Sequence, residues 1–186
     1  MSAGFEDPSK GIQRESENLT PPKAVPSLSV SIVKVALNVI RKQEDGCNKY
    51  LLIQEAAEKR DGGKWYLAAG RVDPGETFQE GASREALEEA GIHIIVKGII
   101  AFQDILRSAN TGQQRIIFLC EQLGDEAPKS HADHHSMQAK WFTFDEVKVL
   151  GNQNKLRDNE VVKHISHVEL EYPVAPIGIF KEYKIR

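Results

Sequence analysis

Glu85, Glu88 and Glu89 lie in a run rich in Ala, Glu and Leu between Thr77 and Ala90, which holds no proline and only Gly81 as an interior break. Such a run predicts a helix, stopped by Gly91 and the aliphatic residue after it. At about 100° per residue the three carboxylates fall at roughly 0°, −60° and +40°, on one face of that helix. Like charges at this spacing destabilise an isolated helix by roughly a few tenths of a kcal/mol per pair. A hard divalent cation would offset that repulsion. Mg²⁺ takes oxygen ligands, keeps several waters, and commonly bridges carboxylates to the phosphate oxygens of a substrate. The competing reading is a solvated glutamate-rich face, which composition alone favours.

The surrounding residues decide between the two. Gly70, Glu76, Arg84, Glu85, Glu88, Glu89 and Gly91 stand at the offsets G-x5-E-x7-R-E-U-x-E-E-x-G-U, with Ala86 and Ile92 in the aliphatic places. At residue frequencies near 7%, seven fixed positions match by chance about once in 10⁸ windows. The pattern is the Nudix box, and through it the chain resembles the Nudix hydrolase family. The flanks "LLIQEA" and "GKWYLAAGRVDPGET" are similar to the nucleotide-pool-cleaning branch, closest to the animal type that acts on oxidised guanine deoxynucleoside diphosphates. The likeness runs from about Val30 to the last helix. It departs at Ala68, where relatives usually carry proline, so the loop entrance is expected to be looser.

The resemblance implies an α/β (α+β) Nudix fold, a mixed β-sheet sandwiched between helices. It implies Glu85, Glu88 and Glu89 as metal ligands, joined by a backbone carbonyl of Ala69 or Gly70, with Mg²⁺ as cofactor and Mn²⁺ able to substitute. Arg84 belongs with the three glutamates in the catalytic set. It would also pair with Glu76 to brace loop against helix, where the competing reading is a surface pair worth under about 1 kcal/mol. One box glutamate, or an acid outside the box, would deprotonate the attacking water, and Glu85 is the favoured base. The implied reaction splits the pyrophosphate bond of a nucleoside diphosphate or triphosphate derivative, such as 8-oxo-dGDP, to the monophosphate. Alternatives are an ADP-ribose or nucleotide-sugar pyrophosphatase and a non-catalytic nucleotide sensor. Sugar-nucleotide relatives often carry a proline about sixteen residues past the box, yet none occurs between Gly91 and Pro128. Sensors usually lose box carboxylates, and all are kept here.

Substrate contacts must come from outside the helix. Trp65, Tyr66, Phe102, Trp141 and Phe142 are each core residues or base stackers; Trp65 and Phe102 are carried as candidate substrate contacts. Asp158 and Asn159, in "KLRDNE", occupy the place where relatives read a base edge, although Asp158 suits a helix N-cap equally well. Gly70 and Gly75 are expected to supply unusual backbone angles and Pro74 to stiffen the turn. Glu80 is expected on a solvated face, and Phe78, Ala82, Ala86 and Leu87 on the core side. His131, His134 and His135 read as a solvated polar loop, since no thiolate or oxygen cage accompanies them.

Several elements must position these groups. "SVSIVKVALNVI" and "YLLIQEA" predict a hairpin about "EDGCNK"; "DGGKWYLAAG" predicts a short aromatic strand between glycine turns. Beyond the helix, "IHIIVKGIIAFQDIL", "QQRIIFLCEQL" and "MQAKWFTF" read as strands, and "TFDEVKVL", capped by Thr143, and "RDNEVVKHISHVEL" as helices. Residues 1–28, with Pro8, Pro21, Pro22 and Pro26 and no apolar period, are expected to be a disordered tail before a domain at 29–186. A chain of 186 residues with 40% hydrophobic content can bury one core. Its net charge of −3 lacks the basic excess that duplex nucleic acid would require. Cys47 and Cys120 suggest neither disulfide nor zinc and fit a reducing, cytoplasmic compartment. The short apolar runs and polar N-terminus suggest neither a membrane span nor a secretory leader.

Overall fold

Strands β1 (Ser31–Glu44) and β2 (Cys47–Glu55) form the expected hairpin, turning at Asp45 and Gly46, whose φ angles are 54° and 77°. Two central residues with positive φ match the twist of the flanking strands. The structure, a computed structural model, describes residues 31–183; the tail assigned to 1–28 and the strand start at Val30 lie outside the described residues. After the hairpin come β3 (Trp65–Tyr66), β4 (Ala68–Arg71), α1 (Phe78–Ala90), β5 (His93–Ser108) and β6 (Thr111–Leu123). The chain continues through β7 (Ser136–Thr143), α2 (Phe144–Asn152), α3 (Glu160–Glu169) and β8 (Ala175–Pro176) to a 3-10 turn at Ile177–Ile179.

The sheet runs β3-β2-β1-β6-β5-β8, with β4 also on β1 and β7 also on β2. β1 is parallel to β6 and the other pairs are antiparallel, so the sheet is mixed. Central β1, Ala36 to Ile40, is fully buried, as expected of a strand covered on both faces. On one face Asn38 Nδ2 donates to the Ala82 carbonyl of α1 at 2.9 Å. On the other, Val35 and Leu37 line a cavity. The fold is therefore the mixed α+β arrangement expected, with β1 as its axis.

Local chemistry accounts for the helix limits. Thr77 caps α1 as a capping box: its hydroxyl accepts from Glu80 N, and the Glu80 carboxylate accepts from Thr77 N at 2.8 Å. Glu80 is exposed, as expected, and works as a cap besides. Gly91, at φ 71°, closes the helix by donating to the Leu87 carbonyl. Thr143 and Glu146 repeat the box at α2. Phe78, Ala82 and Ala86 are buried, but Leu87 is 46% exposed and leaves the core side of α1. No described helix is long and apolar enough to cross a membrane.

Candidate active site

The second half of α1 meets β4, and that junction gathers the box residues. β4 is held on the axis strand by the pairs Leu37↔Ala69 and Ala36↔Gly70. This corrects the expected glycine turn: Gly70 sits in a strand, and its φ is not positive. Its need is space, because a Cβ there would land inside the Glu85 carboxylate. Gly75, with φ 88°, does supply the backbone freedom expected of it.

Arg84 organises the loop before α1. Its Nε and Nη2 donate to the two Glu76 oxygens at 2.9 and 3.1 Å, a bidentate pair, and Nη2 also donates to the Arg71 carbonyl at 2.7 Å. Its Nη1 reaches Glu85 at 2.8 Å and Glu88 at 3.0 Å. Glu76 is held below the usual carboxylate range, chiefly by its hydrogen bonds from Arg84.

Glu85 and Glu89 are buried, at 9% and 5% exposure, whereas Glu88 lies nearer solvent. Burial raises the Glu85 pKa against the opposing pull of Arg84. Burial pushes Glu89 up to about 7, although it accepts from Ala69 N at 2.9 Å and faces Lys59 at 3.4 Å. Glu55, at 3% exposure on β2, joins the group through Lys59 at 3.2 Å. The sequence reading overlooked Glu55 and Lys59; the signal was an acid ending an otherwise apolar strand run in "LLIQEA".

The other end of α1 is pinned by the loop before β7 and by the first residue of that strand. Lys129 Nζ donates to the Glu88 carbonyl at 2.8 Å and Ser136 Oγ to the Glu89 carbonyl at 2.6 Å. In the same loop His131 and His134 are exposed, while His135 approaches Glu88 at 3.9 Å and offers its carbonyl to Lys59 at 2.7 Å.

Beside Ala69 and Gly70 opens a cavity of about 510 Å³. Arg60, Arg71, Arg107, Arg115 and Arg157 border it, together with Asp61, Asp158 and Glu160. Asp158 borders this cavity and accepts from Glu160 N at 2.8 Å, one residue before the N-cap position expected of it. Asn159 occupies the N-cap of α3 without a side-chain cap and does not border the cavity. Trp65 is turned into the core, edge-on to Phe142 at 4.8 Å. Phe102 is 56% exposed on β5 and borders a separate depression beside Phe78 and Glu182. Neither aromatic candidate meets the cavity, and Phe102 is not core.

No three His, Cys, Asp or Glu side chains among the described residues converge tightly enough to cage a metal unaided. Magnesium asks for less, since one or two carboxylates suffice beside waters and phosphate oxygens. Glu85 and Glu89 provide desolvated hard-oxygen donors, and Gly70 leaves bare the backbone in front of Glu85. That donor set fits a divalent cation.

A match to the NUDIX domain model over residues 33–165 shows that this chain belongs to the Nudix family. The 8-oxo-dGDP phosphatase NUDT18 of Homo sapiens is 35% identical over 122 residues, covering 65% of this chain and 35% of its own length. Nudix hydrolase 6 of Arabidopsis thaliana is 30% identical over 136 residues, 72% of this chain and 47% of its own length. The chain therefore spans less than half of either relative. Among solved structures, a NUDIX hydrolase from Nitrosomonas europaea superposes with TM-score 0.66 at 26% identity, over 82% of this chain and 98% of that one.

Proposed function

We propose that this chain is a divalent-metal-dependent hydrolase that splits the pyrophosphate bond of a nucleoside diphosphate or triphosphate derivative, releasing the monophosphate. The observation that carries this reading is the pairing of buried Glu85 and Glu89 with a backbone kept bare at Gly70, beside an arginine-lined cavity of nucleotide size. Oxidised guanine nucleotides such as 8-oxo-dGDP are the proposed substrates, supported by the flanking sequence and the human relative's name. Mg²⁺, or Mn²⁺ in its place, is the proposed cofactor and the cytoplasm the proposed setting.

Glu85, Glu89, the partly exposed Glu88 and a carbonyl of Ala69 or Gly70 would hold the ion. When bound, such an ion lowers the pKa of water and neutralises charge on phosphate oxygens. The chain's own groups do the rest. Arg84, tied to Glu76, fixes the loop against α1, so the backbone at Ala69 and Gly70 keeps its place. Lys59 offsets the clustered negative charge at Glu55 and Glu89, and its own charged form is favoured there by both acids although burial opposes it. Arg60, Arg71 and Arg107 present positive charge to the phosphates while Asp158 offers an acceptor to the base. Glu85 is retained as the proposed base, a buried carboxylate set against the backbone at Gly70.

The test is chromatographic detection of the monophosphate formed from a nucleotide panel with Mg²⁺, including 8-oxo-dGDP, dGDP and ADP-ribose. Cleavage of guanine diphosphates, with Glu89→Gln lowering kcat by about a hundredfold or more in a folded protein, is the expected result. Cleavage of ADP-ribose alone, or binding without turnover, would overturn the proposal.

A further inference from the structure

A nucleotide site usually offers its base a flat surface, and here the aromatic rings do not provide one. Trp65 and Phe102 lie away from the cavity, leaving Tyr66 as its one aromatic ring among the described residues. The Tyr66 face is already covered, because the Arg157 guanidinium lies over it with its carbon 4.4 Å from the ring centroid.

Resting on the nucleotide reading above, we infer that Arg157 is the base platform: its guanidinium, laid on Tyr66, takes the purine of the substrate against its other face. Guanidinium planes stack on bases much as aromatic rings do. Arg157 is held for this purpose from every side. Nη1 donates to the buried Glu55 at 2.7 Å, Nε lies 3.7 Å from Asp61, and the backbone N–H donates to the Trp65 carbonyl at 2.9 Å. The ring beneath is equally fixed, since the Tyr66 hydroxyl donates to Glu160 and accepts from Arg115 at 3.2 Å. The Arg157 side chain nevertheless remains 42% exposed where it borders the cavity. With its charge already paired by Glu55 and Asp61, the plane is what it has left to offer. Arg157 also borders the smaller depression that holds Glu55, Lys59, Ala69 and Glu89, so a base resting on it would place its phosphates near the acidic centre. Glu55 is then a positioning residue, acting through Arg157.

The experiment measures binding rather than turnover. Calorimetry compares GMP with ribose 5-phosphate in the full chain, in Arg157→Lys, and in the double variant Glu55→Gln/Arg157→Met, which leaves no buried charge unpaired. Thermal melts check that each variant is folded. Arg157→Lys keeps the charge and loses the plane. The expected result is a loss of about tenfold in GMP affinity in both variants, with ribose 5-phosphate changed by less than about twofold. The full chain should bind GMP more tightly than CMP, because the larger base covers more of the platform. GMP affinity retained in Arg157→Lys, or an equal loss for both ligands, would overturn the inference; the latter would mark a phosphate contact instead. A full chain showing base-selective binding through Arg157 but no nucleotide cleavage would overturn the hydrolase reading alone.

Discussion

At the scale of single residues, Gly70 shows how a pattern and its physical reason come apart. Its place in the box was legible, but the expected reason was backbone freedom, whereas the structure shows a strand residue whose missing Cβ admits Glu85. Gly70→Ala should therefore destabilise the chain by about 1–3 kcal/mol, as overpacking does, and abolish most turnover. Denaturant unfolding and a kcat measurement check both; unchanged values would mean that the Glu85 carboxylate can step aside freely. The helical spacing of Glu85, Glu88 and Glu89 was also legible because it depends only on local geometry. The placement of Trp65 and Phe102 was not. Both are aromatic residues in strands, and which face of a strand meets a cavity depends on neighbours far away in sequence. Glu55 and Arg157 escaped notice for a related reason, since they meet across 102 residues of chain.

At the scale of elements, α1 is the part whose ends must be fixed if its acids are to be placed. The Thr77–Glu80 box secures one end, with the Glu182 carboxylate accepting from Phe78 N at 2.6 Å beside it. Carboxylates there also face the positive end of the helix dipole. Thr77→Ala should cost about 1 kcal/mol, lowering Tm by about 2–4 °C, with little change in the affinity for a product nucleotide. A melt and a binding isotherm test this; an unaltered Tm would show that Glu182 suffices as a cap. The extent of α1 was readable from composition and from Gly91. The Lys129 and Ser136 contacts on its last carbonyls were not, because each spans more than forty residues through a loop that reads only as polar.

At the scale of the molecule, the fold class followed from the box and the strand runs, but the pairing did not. β1 runs parallel to β6 and divides its other edge between β2 and β4, a long-range arrangement that no local signal specifies. Where α3 packs on this frame, His164 is 3% exposed, and its Nε2 has no hydrogen-bond partner and lies 4.0 Å from Glu160. Burial lowers its pKa, Glu160 opposes, and Lys163, Arg115 and His167 add to the lowering. The unfolded chain thus takes up this proton first, near pH 6.5. The contribution of His164 to stability is full above that pH and is lost as pH falls through its lower folded value. Melts from pH 8 to 5 should show His164→Gln declining less steeply than the parent below pH 6.5; parallel curves would count against it. The central claim, that the buried acids of α1 hold a divalent cation, is tested most directly by titrating Mn²⁺ into the full chain with GMP present and following free Mn²⁺ by electron paramagnetic resonance. Saturable uptake that is lost in Glu89→Gln is the predicted result. Absence of uptake, or equal uptake in that variant, would contradict it.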